Sequence, residues 1–335
     1  MSDQVMKEKP AQARMRRAWR TLSRNPWLGP LIALTVVYLL FVILVPDTFA
    51  RPVNLVTMAR QTVALGLCSV GMTLVVILGG IDLSVGSAVA LTTVVIASLL
   101  KSGAGPVTAA LGGVAVAALT GLVNGTLITG LRVTPFIITL GAMRILRGAA
   151  KGLAHEQKID VDARGLDALV AVLPPERQWM LFPPGVWLLI VVALLAAAML
   201  RWTRLGRHIF AIGSSEATAR LCGIEVGRVK ILVYTLAAAL TGLAGVIEFG
   251  TLTVGDPTDS AGLELEVIAS VVIGGGSLAG GSGSILGALI GGFLMTVIKT
   301  GCIHVGLPNW VQDLVTGGII VTAVAVDRAR SRRAT

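Results

Sequence analysis

The sequence predicts an all-α, polytopic membrane protein of about ten spans, with no soluble domain of any size. Three observations predict it. Of the 335 residues, 54% are hydrophobic and only 14% are charged, whereas an average soluble domain is about one-quarter charged. The apolar residues fall in runs of about twenty, the length that crosses a ~30 Å hydrocarbon core at 1.5 Å per residue. Glycine is abundant, at 40 residues. It would weaken soluble helices, but small residues let membrane helices approach closely where hydrophobicity gives no preference for protein over lipid.

A basic tail, 1–27, carries Lys7, Lys9, Arg14, Arg16, Arg17, Arg20 and Arg24. The transmembrane domain spans 28–327. Its first run, 28–46, is long for a signal peptide and lacks a clear cleavage site, so it is expected to remain as an anchor. The second span, 60–79, ends at Gly79-Gly80, and a third begins almost at once and reaches about 100. The fourth covers 106–131 and the fifth runs from Pro135 to about Gly152. A polar stretch, 153–184, follows as an external loop. The sixth span, 186–201, is separated by a basic loop, 202–228, from the seventh at 229–251. The last three are 265–280, 284–301 and 309–327, and a tail, 328–335, carries Arg328, Arg330, Arg332 and Arg333.

With ten spans, both tails and the basic loop holding Arg201, Arg204, Arg207, Arg220, Arg228 and Lys230 fall on the cytoplasmic side, as the positive-inside rule requires. The net charge of +10 therefore reads as topology and not as a nucleic-acid surface. Trp27, Trp187, Trp202 and Trp310 fall at span ends, where an amphipathic ring anchors at the headgroups. Cys68, Cys222 and Cys302 match no metal-ligand spacing, and His155, His208 and His304 lie in loops or at span ends. No metal, cofactor or catalytic constellation is expected, nor is an enzyme. The Gly-x-x-x-x-Gly-Lys-Ser/Thr pattern that cradles nucleotide phosphates is absent from the sequence.

Gly79-Gly80-Ile81-Asp82-Leu83-Ser84-Val85-Gly86 is the most distinctive segment. Paired glycines end a helix, and Asp82 and Ser84 are placed to cap the next one. Because an acid is costly in hydrocarbon, Asp82 is expected at the cytoplasmic face or in a wet cavity. Gly79, Gly80, Asp82, Ser84 and Gly86 thus read as a tight helical turn, a cytoplasmic gate, or both. Gly274-Gly275-Gly276-Ser277-Leu278-Ala279-Gly280-Gly281 shares the spacing Gly-Gly-x-x-Leu-x-x-Gly and also follows Val-Val-Ile, which suggests an internal repeat.

Thr134-Pro135 opens the fifth span with an N-cap and a proline in the first turn. Gly121/Gly125 and Gly287/Gly291 are small-xxx-small pairs for tight packing. In the basic loop Ser214 or Ser215 caps, Glu216 suits the positive end of a helix and Gly223 ends it. The result is a short helix of two to three turns outside the membrane, resting on lipid or docking a soluble partner.

The turn at 79–86, the Thr-Pro-Phe start at 134–141, the loop at 204–227 and Glu264-Leu265-Glu266-Val267-Ile268-Ala269 together resemble the membrane permease subunits of bacterial ABC sugar importers, the ribose/xylose/galactoside group. The likeness covers roughly 55–327; Arg144, Arg147 and the proline-rich 173–184 are less typical. It implies a type II-like importer fold in the bacterial inner membrane, with a second permease copy (identical or a paralogue), a cytoplasmic ABC ATPase and a periplasmic sugar-binding protein. By position it implies that Ser215, Glu216, Ala217, Arg220 and Gly223 form the ATPase-coupling loop.

Asn124, Thr139, Glu248 and Glu266 are candidates for lining a translocation path. A permease of the same build for branched-chain amino acids or another small solute is the nearest alternative. An ion-coupled transporter would need a relay of charged residues at the midplane, and no Asp/Glu/His chain is seen there.

Overall fold

The structure, a computed structural model, describes residues 27–331. The basic residues of 1–26 and Arg332 and Arg333 lie outside the described residues. Among those described, thirteen α-helices dominate, with one two-residue ladder and two short 3-10 turns.

The order is α1 (Leu28–Leu44), α2 (Pro46–Phe49), α3 (Pro52–Ile77), α4 (Val85–Lys101), α5 (Pro106–Leu131) and α6 (Pro135–Leu153). β1 (Ile159–Asp160) and 3-10 turns at Leu166–Leu169 and Pro175–Met180 lead to α7 (Pro184–Trp202), α8 (Arg204–Ser214) and α9 (Glu216–Leu221). Then come α10 (Val226–Leu252), β2 (Val254–Gly255), α11 (Leu263–Ile273), α12 (Ile285–His304) and α13 (Asn309–Ser331). Five of these, α3, α5, α7, α10 and α12, are long and apolar enough to cross a membrane, and α1 and α4 are apolar at 17 residues each. Proline opens α3, α5, α6 and α7, where its missing N–H costs nothing.

α3 is the centre. Every residue from Thr62 to Ile77 is buried, as befits a helix enclosed on all sides by others. α10 and α12 flank it. Hydroxyls bridge α3 and α12: Thr62 Oγ1 donates to Thr296 Oγ1 at 2.9 Å and Thr300 Oγ1 to Gln61 Oε1 at 3.3 Å. α5 buries one stripe only, Ala109, Gly113, Ala117, Gly121, Asn124, Gly125 and Ile128, laid on α10 for most of its length and on Thr92 and Ile96 of α4 at Gly113. A Cβ on Gly125 would sit 2.7 Å from the Ile231 Cα, and one on Gly242 2.8 Å from the Val114 Cα. Gly121 meets the Tyr234 backbone in the same way, and Gly287 and Gly291 lie against the Gly274 and Ser270 carbonyls. Both small-xxx-small pairs are therefore helix-crossing points.

Three boundaries differ from the sequence reading. The expected span 265–280 is the 11-residue α11, about 16 Å long and so about half of a crossing. The glycines from 274 onward raised the apolar run without prolonging the helix. α3 starts eight residues early, because Asn54 and Arg60 lowered the hydropathy of a stretch that is nonetheless helical. The loop expected to hold one short helix holds two, α8 and the six-residue α9.

Candidate functional site: an interior turn, a glycine junction and a latched short helix

α3 stops because Gly79 adopts φ +88, a conformation open to glycine without a Cβ clash. Gly79 N donates to Val76 O and Gly80 N to Val75 O, closing the helix as a Schellman-type end. Gly275 repeats this at φ +89, with Gly275 N to Val272 O and Gly276 N to Val271 O. The repeat expected from spacing is thus matched in backbone hydrogen bonds at these two turns. Its register pairs Gly79 with Gly275 and not with Gly274, because the closure needs the positive φ at that position.

Between α3 and α4 the chain runs without helix from Gly80 to Ser84 and is buried at Asp82 (4% exposed) and Ser84 (2%). Asp82 is therefore at neither a cytoplasmic surface nor an open wet cavity. Its Oδ1 accepts from Ser84 N at 2.8 Å and Ser84 Oγ at 2.5 Å. These bonds are what allow a carboxyl to sit in the interior. Ser84 does not cap α4 with its side chain; its hydroxyl is committed to Asp82 and accepts from Asn124 Nδ2 at 3.2 Å. Thr139 Oγ1 donates to Ile81 O at 3.1 Å. Two of the four residues read as path-lining, Asn124 on α5 and Thr139 on α6, thus hold the interior turn. Asn124 also borders a groove of about 370 Å³ between α5 and α6, walled by Val123, Leu127, Ile137 and Ile145.

Tyr234, 1% exposed, stands against Gly80, and its hydroxyl has no partner among the described residues. The sequence reading missed it, since a tyrosine in an apolar run carries no positional signal.

The two repeat-related turns meet. Gly281 N donates to Ile77 O at 2.9 Å, and a Cβ on Gly280 would lie 3.0 Å from the Gly79 Cα. Gly213, near the end of α8, closes the junction: a Cβ there would overlap the Ile77 carbonyl and sit 2.6 Å from Gly281 N. The end of α8 and both glycine turns are in backbone contact at this point.

From the junction the chain enters α9. Ser215 Oγ accepts from Thr218 N at 3.2 Å as N-cap, Glu216 lies in the first turn, and Gly223 (φ +80) ends the helix. Six residues do not make a stable isolated helix. Glu216 holds this one: Oε1 takes Arg220 Nη2 at 2.6 Å and Oε2 takes Lys230 Nζ of α10 at 2.6 Å. Burial works against the Glu216 charge, but the Lys230 and Arg220 hydrogen bonds outweigh it and hold the carboxyl below its ordinary range. The pairing with Lys230, fourteen residues away, has no local sequence signature. Ala217 is exposed, and Leu221 is 89% exposed at the end of the helix.

Glu248 and Glu266 lie apart from the interior turn and are half-buried. Glu266, in the first turn of α11, faces Lys299 of α12 at 3.6 Å. Gly86, grouped with the gate by sequence, instead meets the Ser260 carbonyl and the Glu264 carboxylate. It links the start of α4 to the start of α11.

The far end of the bundle carries a clasp. β1 pairs antiparallel with β2, Ile159 opposite Gly255. Lys158 Nζ meets Asp256 Oδ2 at 2.9 Å, and Arg147 Nη1 donates to Pro257 O at 3.0 Å and Asp259 O at 2.6 Å. Arg147, unusual by sequence, thus pins the 256–259 segment. Burial raises the cost of the Asp256 charge, but hydrogen bonds from Thr258 and Lys158 exceed it, so the carboxyl is held below the ordinary Asp range. A depressed folded value stabilises above the unfolded value and is lost as pH falls through the folded one. The clasp is therefore expected to be intact from pH 5 to 8 and to loosen below about pH 4. Hydrogen exchange of 159–160 and 254–255, corrected for intrinsic rates, measures it; unchanged protection at pH 3 would contradict it.

Likeness to known proteins adds a family. Residues 54–324 match the family model described as branched-chain amino acid transport system / permease component. The chain is 39% identical over 300 residues to the ribose import permease of Escherichia coli (strain K12), covering 90% of this chain and 93% of that one. It is 37% identical to the ribose import permease of Bacillus subtilis (91% and 93% covered). It is 33% identical to the L-arabinose ABC transporter permease of Azospirillum brasilense (96% and 92%).

Proposed function

From the premise that the chain belongs to the family of branched-chain amino acid transport system permease components, we propose that it is the permease subunit of an ATP-driven importer carrying a monosaccharide. The names of its relatives, ribose and L-arabinose permeases, support a sugar over an amino acid. The chain is a multi-pass membrane protein with both termini cytoplasmic. Its partners are an ABC ATPase, a periplasmic sugar-binding protein and a second permease copy.

The observation that carries the coupling is α9. It is capped by Ser215, latched to α10 through Glu216 and Lys230, and presents Leu221 outward. A force on α9 reaches α10 through that ion pair and the two glycine turns through Gly213. The interior turn at 80–84 is the gate, held by Asn124 and Thr139. The α5–α6 groove, with Asn124 on its border, faces the second copy and the path between them.

Glu216→Lys tests the coupling. It places three cations together at α9 and removes the latch, so ATPase association is expected to fall at least about tenfold (about 1.4 kcal/mol) with membrane insertion intact. Unchanged association would sink the assignment. Vesicles holding the permease, its ATPase and binding protein should take up labelled pentose on ATP addition, with the proton gradient dissipated. Uptake of leucine and not pentose would move the substrate to the branched-chain amino acids.

A further inference from the structure

α7 leaves one face uncovered. Val191, Leu194 and Leu195 are 51–65% exposed, and with Ala198 they wall a groove of about 490 Å³ that ends at Arg201 and Trp202. From Val191 to Trp202 the helix rises about 16 Å, close to half of a ~30 Å hydrocarbon core. The groove therefore has the depth of one leaflet, with its charged end at headgroup level.

Arg201 lines that end, and Arg204 and Arg207, on α8 directly after it in the chain, are exposed as well. Between 201 and 230 the sequence has two acids, Glu216 and Glu225. Glu216 is taken by Arg220 and Lys230, and Glu225 by Arg228. Among the described residues none of the three arginines forms an ion pair, and the first turn of α8 has no acid either. An unneutralised guanidinium at the mouth of an apolar slot one leaflet deep, with two more exposed within the next six residues, calls for an anionic head on an apolar tail. Trp202, 73% exposed beside them, is suited to the same boundary.

We propose that the α7 groove is a binding site for an anionic phospholipid of the leaflet on the α8–α9 side, its phosphate on Arg201 and Arg204 and an acyl chain along Val191–Ala198. The site differs from general attraction of a basic loop to a charged surface, because the tail slot and the head charges belong to one place.

Native mass spectrometry of the full chain released from nanodiscs of equal phosphatidylglycerol and phosphatidylethanolamine tests it. The protein should retain phosphatidylglycerol in excess. Arg201→Gln and Arg204→Gln should each lower the retained ratio about fivefold. Leu195→Trp, on an exposed position, should fill the slot and lower retention with every arginine present. Arg228→Gln removes an equal charge from the same side, already paired with Glu225, and should leave the ratio unchanged. An unchanged ratio in Arg201→Gln and Arg204→Gln, an equal fall in Arg228→Gln, or no effect of Leu195→Trp overturns the proposal. So does loss of ATPase binding in the arginine variants with lipid retention intact, which would assign the charges to a protein partner.

Discussion

Valine in place of Gly213 is expected to reduce solute uptake to background while the chain still inserts and is still produced. The added side chain has no room: its Cβ would overlap the Ile77 carbonyl and crowd Gly281 N. Both are backbone atoms, which cannot rotate away as a side chain can. Either α8 lifts or the Gly281 N to Ile77 O bond of 2.9 Å breaks. Overpacking alone costs about 1–3 kcal/mol, and with a backbone bond lost the total is expected to reach about 3 kcal/mol or more. Uptake and thermal unfolding in detergent should both be measured. Gly227→Ala, at a position where the nearest atom to an added Cβ is a Thr129 methyl at 3.5 Å, is the control and should behave as wild type. Wild-type uptake by Gly213→Val would show that the junction does not govern transport.

The second large effect is expected at Asp82. Replacing it with alanine removes the acceptor for both Ser84 N and Ser84 Oγ in a buried turn. An orphaned buried donor costs about 1–3 kcal/mol, and the turn loses what fixes the start of α4. Asp82→Ala should lower stability by about 2 kcal/mol and uptake by more than tenfold. Asp82→Asn keeps one acceptor oxygen in the same place and should recover much of the stability. If both variants transport normally, the interior turn is a connector and not a gate. Asn124→Ala, which removes only the Asn124 Nδ2 bond to Ser84 Oγ, is expected to have a smaller effect.

The membrane class, the helix order and the two glycine turns were legible because they depend on solvent and on backbone permission. Hydropathy located α5, α6, α7, α10 and α12 to within a few residues. Pro and Gly marked ends where a missing N–H or a positive φ is required. What was illegible depends on partners distant in sequence. Asp82 read as a cap near water, because its burial rests on a turn that folds inward against Asn124 and Thr139 of other helices. The Glu216–Lys230 latch and the Arg147 clasp cross 14 and about 110 residues. The length of α11 was overestimated because hydropathy does not separate an apolar helix from an apolar glycine turn. Ser215, Glu216 and Gly223 stand where local rules put them, since capping is decided within one turn of chain.

The half-length α11 also constrains how the chain is made. Eleven residues are too few to cross as an independent stop, and a helix that ends partway has its last C=O groups met by the glycine turn, through Gly275 N and Gly276 N, where water is lacking. α11 therefore has to enter the bilayer together with α12, as two limbs of one hairpin sealed where Gly274 meets Gly287 and Ser270 meets Gly291. Order of synthesis and order of insertion part company here: α11 leaves the ribosome first and waits for its successor.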